Sequence, residues 1–475
     1  MDPEEQKAAA TEDNPNPRAW ITDGSVVRAA WRLALPMTIG TVLQDTLNLV
    51  DMYFVGSLGD EALAAVTMCG VFLGVVQMLA MGIVTGSMAL VSQAVGARNR
   101  PRAEELTAQS LLMAGALAIV VAAVGVPSAA LLLQQQGASP RVVELGAPYL
   151  RIMCGSSIVM FLGVAFASSV RAAGDTMTPL RVMAVANVIN IVLDPIMIYG
   201  KFGTPAMGVT GSAIATVIAM SVACVWLAWV FFAGKHEQFH LRLHHLRPRW
   251  RTMWQMLAIG VWGSGQMLIR NISALSLQRL VAGYGTAALA AYGASTRLFF
   301  AMLMPGMGFG NAAATMVGQN LGAHKPDRAV QAAWITTGIW VAMSTVAGVF
   351  CWVYAAEMLR VFSNSPEVTT VGVPLLRWMA VGFPFTAASV VLGRAMNGAG
   401  DTFWPMVLVA ASMLAIRIPM AYWLAHEWHN VNGVWVAVGI TNIVQGFFYA
   451  AAFLWGRWLV IGKRLVESSA GVPGA

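Results

Sequence analysis

The chain has 475 residues, of which 57% are hydrophobic and 11% are charged, and its formal net charge is +7. Soluble domains carry about 25% charged residues, so this composition excludes an ordinary soluble protein. The basic residues lie at the ends of apolar runs, where orientation in a membrane explains them, so they do not indicate a nucleic-acid partner.

Apolar runs follow one another along most of the chain, separated by short polar breaks. A helix of about 20 apolar residues crosses a bilayer. Because the runs are continuous rather than alternating, they predict helices and not the strands of an outer-membrane barrel. The twelve predicted helices lie near residues 30–56, 62–93, 105–133, 142–170, 178–200, 208–233, 252–281, 288–318, 329–356, 367–396, 404–425 and 432–456.

The tails and loops predict an orientation. Residues 1–27 lack the apolar core of a signal peptide and are expected to form a disordered tail, and 461–475 form a second tail. An even number of helices places both tails on one side of the membrane, and that side carries most of the Lys and Arg residues. The other side has Arg141, Lys201 and Arg360. The positive-inside rule therefore predicts a multi-pass protein of the cell (inner) membrane with both termini in the cytoplasm.

The chain also contains an internal repeat with a constant offset of 226 residues. Residues 59–65 resemble 285–291, and the Gly-Asp-Thr sequence at 174–176 recurs at 400–402. Several matches in one register across more than a hundred residues are difficult to produce by chance. Each copy contains six of the predicted helices.

Six helices are an even number, so the two copies cross the membrane with the same orientation. The predicted fold is an all-α integral membrane protein with twelve transmembrane helices in two parallel, pseudo-symmetric six-helix lobes. The N-lobe is expected at 28–233, a cytoplasmic linker at 234–251 and the C-lobe at 252–460. Two such lobes enclose a cavity, as in transporters that work by alternating access.

The interior of the N-lobe is acidic where the C-lobe is apolar. Asp51 and Asp194 correspond in the repeat to Leu277 and Met420. An acid inside a membrane is costly, which makes it a candidate functional residue. These two acids lie in polar stripes at helical spacing that should face an interior. The stripes are Gln44, Asn48 and Asp51 on the first helix, and Asn187, Asn190 and Asp194 on the fifth.

Side chains from two further helices could reach the depth of these acids, namely Tyr149 on the fourth helix and Ser212 and Thr216 on the sixth. Two carboxylates in an apolar cavity repel each other, and burial disfavours their charge, so at least one is expected to bind a proton. The same oxygens would also suit Na⁺. The alternative is that both acids are hydrogen-bonded structural groups.

The sequence resembles the multidrug and toxic compound extrusion (MATE) family over residues 25–460. The segments that carry the resemblance are 44–59, 171–176, 187–195 and 317–323. The resemblance implies export of cationic or amphipathic organic compounds in exchange for H⁺ or Na⁺. It implies no cofactor besides the coupling ion.

Within the family, the chain is more similar to the DinF-like branch. The NorM-like branch relies on acids in the seventh and tenth helices, where this chain has Arg270 and Thr386. The DinF-like resemblance implies that the first helix bends at Pro36 when an acid changes protonation state. It implies proton coupling, with Na⁺ still open, by N-lobe residues that here are Asp51, Asn190, Asp194, Tyr149 and Thr216.

Arginines inside the C-lobe helices have two interpretations. Arg270, Arg297 and Arg417 could pair with Asp45 or with other groups, or they could prepare the cavity for anionic parts of a substrate. Asp45 itself could be a second protonation site or one partner of an ion pair. The predicted substrate cavity comprises Gln44, Asn48, Ser212 and Arg270.

Two other functions fit parts of the sequence. A lipid-linked oligosaccharide flippase of the same superfamily would share the fold, but the acidic first lobe and the twelve spans argue against it. A membrane-embedded enzyme would need a motif such as HExxH or GxSxG, and no such motif or phosphate-binding loop occurs. We expect a monomeric transporter without a metal site, whose partners are small organic molecules and membrane lipids.

Overall fold

The computed structural model describes residues 19–234, 239–362 and 365–469. A short 3-10 turn, Leu243–Leu246, precedes α9, and a π-helical segment, Ala411–Arg417, joins α14 to α15. In chain order the α-helices are α1 (Ala19–Thr22), α2 (Val26–Gly56), α3 (Asp60–Gly96), α4 (Arg100–Gln135), α5 (Pro140–Gly155), α6 (Ser157–Ala172), α7 (Met177–Tyr199), α8 (Val209–Phe232), α9 (Trp250–Ala282), α10 (Thr286–Gly322), α11 (Pro326–Val353), α12 (Ala355–Arg360), α13 (Pro366–Gly398), α14 (Phe403–Ala410), α15 (Ile418–Glu427), α16 (Asn432–Leu454) and α17 (Arg457–Ser469).

The described helices account for the twelve predicted spans. Ten spans are long and apolar enough to cross a membrane as they stand, and one of them runs from α14 through the π-helical segment to α15. The pair α5 and α6 forms another span, bent by 48°. Helix α9 has 33 residues and is about 50 Å long at 1.5 Å per residue, although its arginines make it less apolar. The predicted fold class is confirmed.

One predicted boundary is wrong. Residues 1–18 lie outside the described part, but the disordered tail expected to reach residue 27 ends earlier, because Ala19–Thr22 form α1 and Ile21 is fully buried. The guanidinium of Arg328 donates to the Ile21 carbonyl at 3.3 Å and holds α1 in place. Residues 461–469 of the second expected tail belong to α17, which the buried Trp458 anchors, and residues 470–475 lie outside the described part.

The first helix of each repeat packs against the opposite lobe. In α2, the small residues Ala29, Ala30 and Ala34 lie in one core with α10, α11 and α13 of the C-lobe. Correspondingly, Met256 and Ile259 of α9 lie in the core of the N-lobe. The first half of α2 is therefore part of the interface between the lobes, because its small side chains allow it to approach α10 closely.

Paired hydrogen bonds connect the lobes and follow the repeat. The hydroxyl of Thr38 on α2 donates to the Pro305 carbonyl on α10 at 3.0 Å. Its counterpart Ser264 on α9 donates to the Met78 carbonyl on α3 at 3.1 Å. Thr38 and Ser264 are 226 residues apart, so the two contacts are related by the pseudo-twofold axis.

A second symmetric pair lies where α3 and α10 end. The amide of Gln93 donates to the Ala399 carbonyl at 3.1 Å, and the amide of Gln319 donates to the Ala172 carbonyl at 2.8 Å. Near these amides, Gly96 lies against the Gln319 backbone and Gly322 against the Gln93 backbone, with no space for a Cβ atom. We call the interlobe contacts of Thr38, Ser264, Gln93, Gln319, Gly96 and Gly322 the gate.

The lobes separate on the other side of the membrane. We call the membrane face at which α3 and α10 end the terminal face, and the opposite one the far face. Beyond the gate, Val71 is 62% exposed, its repeat counterpart Arg297 is also exposed, and a Cβ at Gly74 would meet nothing within 4 Å. These positions continue the helix faces that form the gate. The structure is therefore closed at the terminal face, with a cleft that opens towards the far face.

Candidate functional site

Two acids from separate helices meet inside the N-lobe. Asp51 lies near the far end of α2, and Asp194 lies near the far end of α7. Their carboxyl groups are close enough to share a hydrogen bond when one of them carries a proton. Asp194 is completely buried, whereas Asp51 is partly exposed. The aspartates expected from two sequence stripes thus face one interior.

Asn190 connects this pair to α8. In the amide orientation that satisfies both of its polar atoms, its nitrogen donates to Asp51 Oδ1 at 2.9 Å. Its oxygen accepts from the Thr216 backbone N–H at 3.3 Å and from the Thr216 hydroxyl at 3.2 Å. This orientation follows from the hydrogen-bond network. Asn190 therefore supplies a donor to the acids and uses its oxygen elsewhere.

Asp194 has no such donor. Both of its carboxylate oxygens are buried, and neither accepts a hydrogen bond from any described residue. A buried charge without a partner is unstable in an apolar interior. Asp194 therefore requires a proton, which it can share with Asp51, or a bound cation.

Tyr149 on α5 completes the site. Its phenol interacts electrostatically with both Asp51 and Asp194, and its ring packs against Val55 and Val209. A phenol beside two carboxyl groups can donate a hydrogen bond to whichever one is charged. The predicted residues Asp51, Asp194, Asn190, Thr216 and Tyr149 therefore lie together, although their role in coupling stays a prediction.

The other predicted residues lie around this group. The amide of Asn187 donates to the Leu43 carbonyl at 2.9 Å and joins α7 to α2. Gln44 is half-buried, Asn48 is exposed, and Ser212 is buried one turn before Thr216. In the described contacts, none of these three hydrogen-bonds to either aspartate.

The predicted hinge residue lies elsewhere. Pro36 is buried in the half of α2 that packs on the C-lobe, and α2 is one continuous helix through it. It is roughly 22 Å along the helix from Asp51 at 1.5 Å per residue. Any effect of Asp51 on Pro36 must therefore pass through α2.

The C-lobe has basic residues on the helices that correspond to α2 and α7. Arg417, at the end of the π-helical segment, donates from Nη2 to Asn442 Oδ1 at 2.6 Å. Asn442 is the repeat counterpart of Thr216. Within the described residues, no ion pair involves Asp45 or any of the arginines Arg270, Arg297 and Arg417. The pairing of these arginines with Asp45 is therefore wrong for this state.

Some residues of this C-lobe group were missed by the sequence interpretation. Asn442 could have been found by applying the offset of 226 to Thr216. Arg394 lies near the terminal-face end of α13, where its side chain packs against Gly310 and interacts electrostatically with Arg270. The Arg270 guanidinium lies within hydrogen-bonding reach of the buried Tyr449 hydroxyl.

Comparisons with known proteins agree with this architecture. The family model described as MatE matches residues 36–196 and 264–423. A relative named "Probable multidrug resistance protein YoeA" from Bacillus subtilis is 28% identical, over 96% of each chain. One named "FAD transporter" from Shewanella oneidensis is 25% identical, over 90% of this chain and 94% of its own. The crystal structure of MATE in the bent conformation superposes with a TM-score of 0.86 at 24% identity, covering 96% of this chain and 99% of that one.

Proposed function

This chain belongs to the MatE family of membrane transporters, and on that premise we propose that it is an antiporter that exports organic compounds in exchange for protons. Multidrug transport is the function named for the Bacillus relative. The proposed coupling site is the acid pair Asp51 and Asp194 with Asn190, Thr216 and Tyr149. The observation that carries the proposal is the buried Asp194 carboxyl, which lacks a donor among the described residues and lies within reach of Asp51.

The position of the pair suits exchange with the far side. Asp51 and Asp194 each lie five residues before the far end of their helix, or about 8 Å at 1.5 Å per residue. In the state described here the cleft opens towards that face. A proton that enters from the far side removes a negative charge from the pair and lets the two carboxyl groups share a hydrogen bond. A cationic compound held near the pair then loses its attraction and is released to the far side.

The return half of the cycle needs the gate to open. When the lobes part at the terminal face, the pair releases its proton on that side and becomes charged again. The charged pair attracts the next compound, and closure of the gate carries it towards the far side. A ligand shifts the equilibrium between two conformations only if it binds one of them more tightly. The charge on the acid pair must therefore differ between the state open at the far face and the state open at the terminal face.

We also propose that the terminal face is cytoplasmic and that the membrane is the cell's inner membrane, as the charge distribution predicts. One chain contains both lobes and the cleft, so we propose that the monomer is the transporting unit. On this assignment the predicted linker 234–251 is cytoplasmic. Residues 235–238 lie outside the described part, and the described residues Phe239 and Leu241 pack into the N-lobe core.

Na⁺ is the alternative coupling ion, because carboxylate and hydroxyl oxygens bind it. Efflux of the cationic dye ethidium from proteoliposomes distinguishes the two ions. We expect efflux under an imposed pH gradient and none under an imposed Na⁺ gradient. Efflux driven by Na⁺ alone, at equal pH on both sides, would refute proton coupling.

A further inference from the structure

The interior of the C-lobe contains a buried cation that the coupling site does not use. Arg417 is 9% exposed, and its Nη2 donates to Asn442 Oδ1. Its Nε has no acceptor within the described part of the chain. It ends a π-helical segment, a geometry that is often found at functional sites. The neutral Asn442 oxygen satisfies one of its five N–H groups and none of its charge.

The neighbours of Arg417 on α16 are further donors without acceptors. The Gln445 amide nitrogen and the Trp435 indole N–H are both buried, and no described residue accepts from them. Residues 435, 442 and 445 lie on one face of α16 at helical spacing. Trp435 is stacked on Tyr292, with ring centroids 6.1 Å apart, and Tyr292 interacts electrostatically with Arg417. This face of α16 thus offers several donors and lacks acceptors.

Two more arginines add positive charge. Arg270 interacts electrostatically with both Arg394 and Arg417, and all three point into the lobe. Arg270 is half-buried on α9, so this member of the group reaches the surface of the lobe. The described acids of the C-lobe lie at helix ends, so they do not neutralise the arginines inside the lobe. These acids are Asp327, Glu357, Glu367, Asp401 and Glu427.

Like charges in an apolar interior repel, and unpaired donors there are costly. One anionic group would compensate the charge and accept from the free donors at once. Carboxylate and phosphate fit guanidinium groups best, because they accept two parallel N–H bonds. Arg270 and Arg417 lie on the helices that correspond in the repeat to those of Asp51 and Asp194, although not at the equivalent residues. Corresponding helices of the two lobes therefore carry opposite charges.

We propose that Arg270, Arg394, Arg417, Asn442 and Gln445, here called the arginine cluster, bind the acidic group of a transported organic compound, a carboxylate or a phosphate. The proposal rests on the proposed transport function and specifies its substrate class. Compounds with an acidic group, including zwitterions whose cationic part faces the N-lobe, are substrates. A purely cationic compound does not use the cluster.

The test measures binding of carboxyfluorescein, an organic anion, to the full-length protein in nanodiscs by fluorescence anisotropy. We expect Arg417→Gln to weaken binding by about tenfold or more, since charge-assisted hydrogen bonds are the strong ones. Arg417→Lys keeps the charge but loses the planar fork, so we expect an intermediate effect. Arg377→Gln is the matched control, because Arg377 lies in the same lobe over the Trp352 ring and should change nothing.

Two further arms identify the ligand and test the fold. Inorganic phosphate and chloride should compete with carboxyfluorescein at least about tenfold more weakly than an organic carboxylate does, because they lack its apolar contacts. Arg417→Gln should elute as a single size-exclusion peak with the circular dichroism spectrum of the wild type, which shows that the variant is folded. Equal carboxyfluorescein binding by Arg417→Gln and wild type overturns the proposal, and so does equally strong competition by inorganic phosphate. Failure of proton coupling would instead appear in ethidium efflux and leave carboxyfluorescein binding intact.

Discussion

The two lobes repeat one architecture but hold opposite charges on corresponding helices. In the N-lobe, Asp194 on α7 lies beside Asp51, and Asn190 joins them to Thr216 on α8. In the C-lobe, Arg417 bonds to Asn442, the counterpart of Thr216. The backbone positions correspond, so the fold does not determine the chemistry. We propose that the side chains on these corresponding helices decide whether a lobe binds protons or anions.

The gate shows the opposite behaviour, because both copies keep it. Thr38 and Ser264 make the same contact, as do Gln93 and Gln319. Closing two lobes symmetrically requires matching surfaces on both, whereas coupling and substrate binding need different groups. We therefore expect the matched gate residues to serve closure, and the acids and arginines that differ between the copies to serve transport.

Removing the charge of the N-lobe pair should have the largest effect. We expect Asp194→Asn, and separately Asp51→Asn, to reduce pH-driven ethidium efflux to the level of empty liposomes, because an amide cannot release a proton. Asp45→Asn is the matched control on the helix of Asp51, and it should retain most of the efflux. If the Asp194→Asn protein still concentrates dye against a gradient, the acid pair is not the coupling site.

Adding a side chain at a glycine of the gate should have the next largest effect on transport. We expect Gly322→Val to slow transport by at least about tenfold, since overpacking typically costs about 1–3 kcal/mol and here meets the Gln93 backbone. Spin labels at Met177 and Phe403, two exposed repeat counterparts near the terminal face, should report lobes that stay apart. Gly338→Val is the control, because nothing lies within 4 Å of a Cβ there. Unchanged label distances in Gly322→Val would contradict this account of the gate.

The two gate amides should have smaller and equal effects. Gln93→Ala or Gln319→Ala each removes one interlobe hydrogen bond, worth about 1 kcal/mol or a roughly fivefold change in the closed population. The same label pair measures that population. Similar shifts for the two variants would support a symmetric gate. A shift in one variant alone would show that a single lobe controls closure.

The smallest effect is expected at the tether of α1, which has no counterpart in the C-lobe. The Lys325 ammonium donates to the Asp23 carboxylate and, with Thr22, lowers the pKa of Asp23 below its ordinary value. The ion pair is exposed, so Asp23→Asn should reduce stability by at most about 1 kcal/mol. Because the folded pKa is lowered, this contribution is present at neutral pH and is lost as pH falls below about 4. Thermal unfolding of both proteins across pH should show the difference shrinking in acid; a difference that grows in acid would contradict the assignment.

The sequence predicted what depends on long patterns. The twelve spans, the repeat and the two stripes that bring Asp51 and Asp194 to one interior follow from apolar length and helical spacing. Features that depend on contacts between distant segments could not be predicted. The packing of α2 against the C-lobe and the bond from Arg417 to Asn442 are examples, since one sequence does not show which helices meet. Residues 19–22 were misassigned because so short a helix is stable only when it is docked.

The central claim is that Asp51 and Asp194 exchange a proton inside the N-lobe. Infrared difference spectroscopy of the protein in bilayers, recorded as pH is changed in small steps, detects protonated carboxyl groups directly. We expect a carboxylic-acid band that titrates in the wild type and in Arg417→Gln. Asp51→Asn and Asp194→Asn should each remove or alter this band. A titrating band that is the same in the wild type and in both aspartate variants would contradict it.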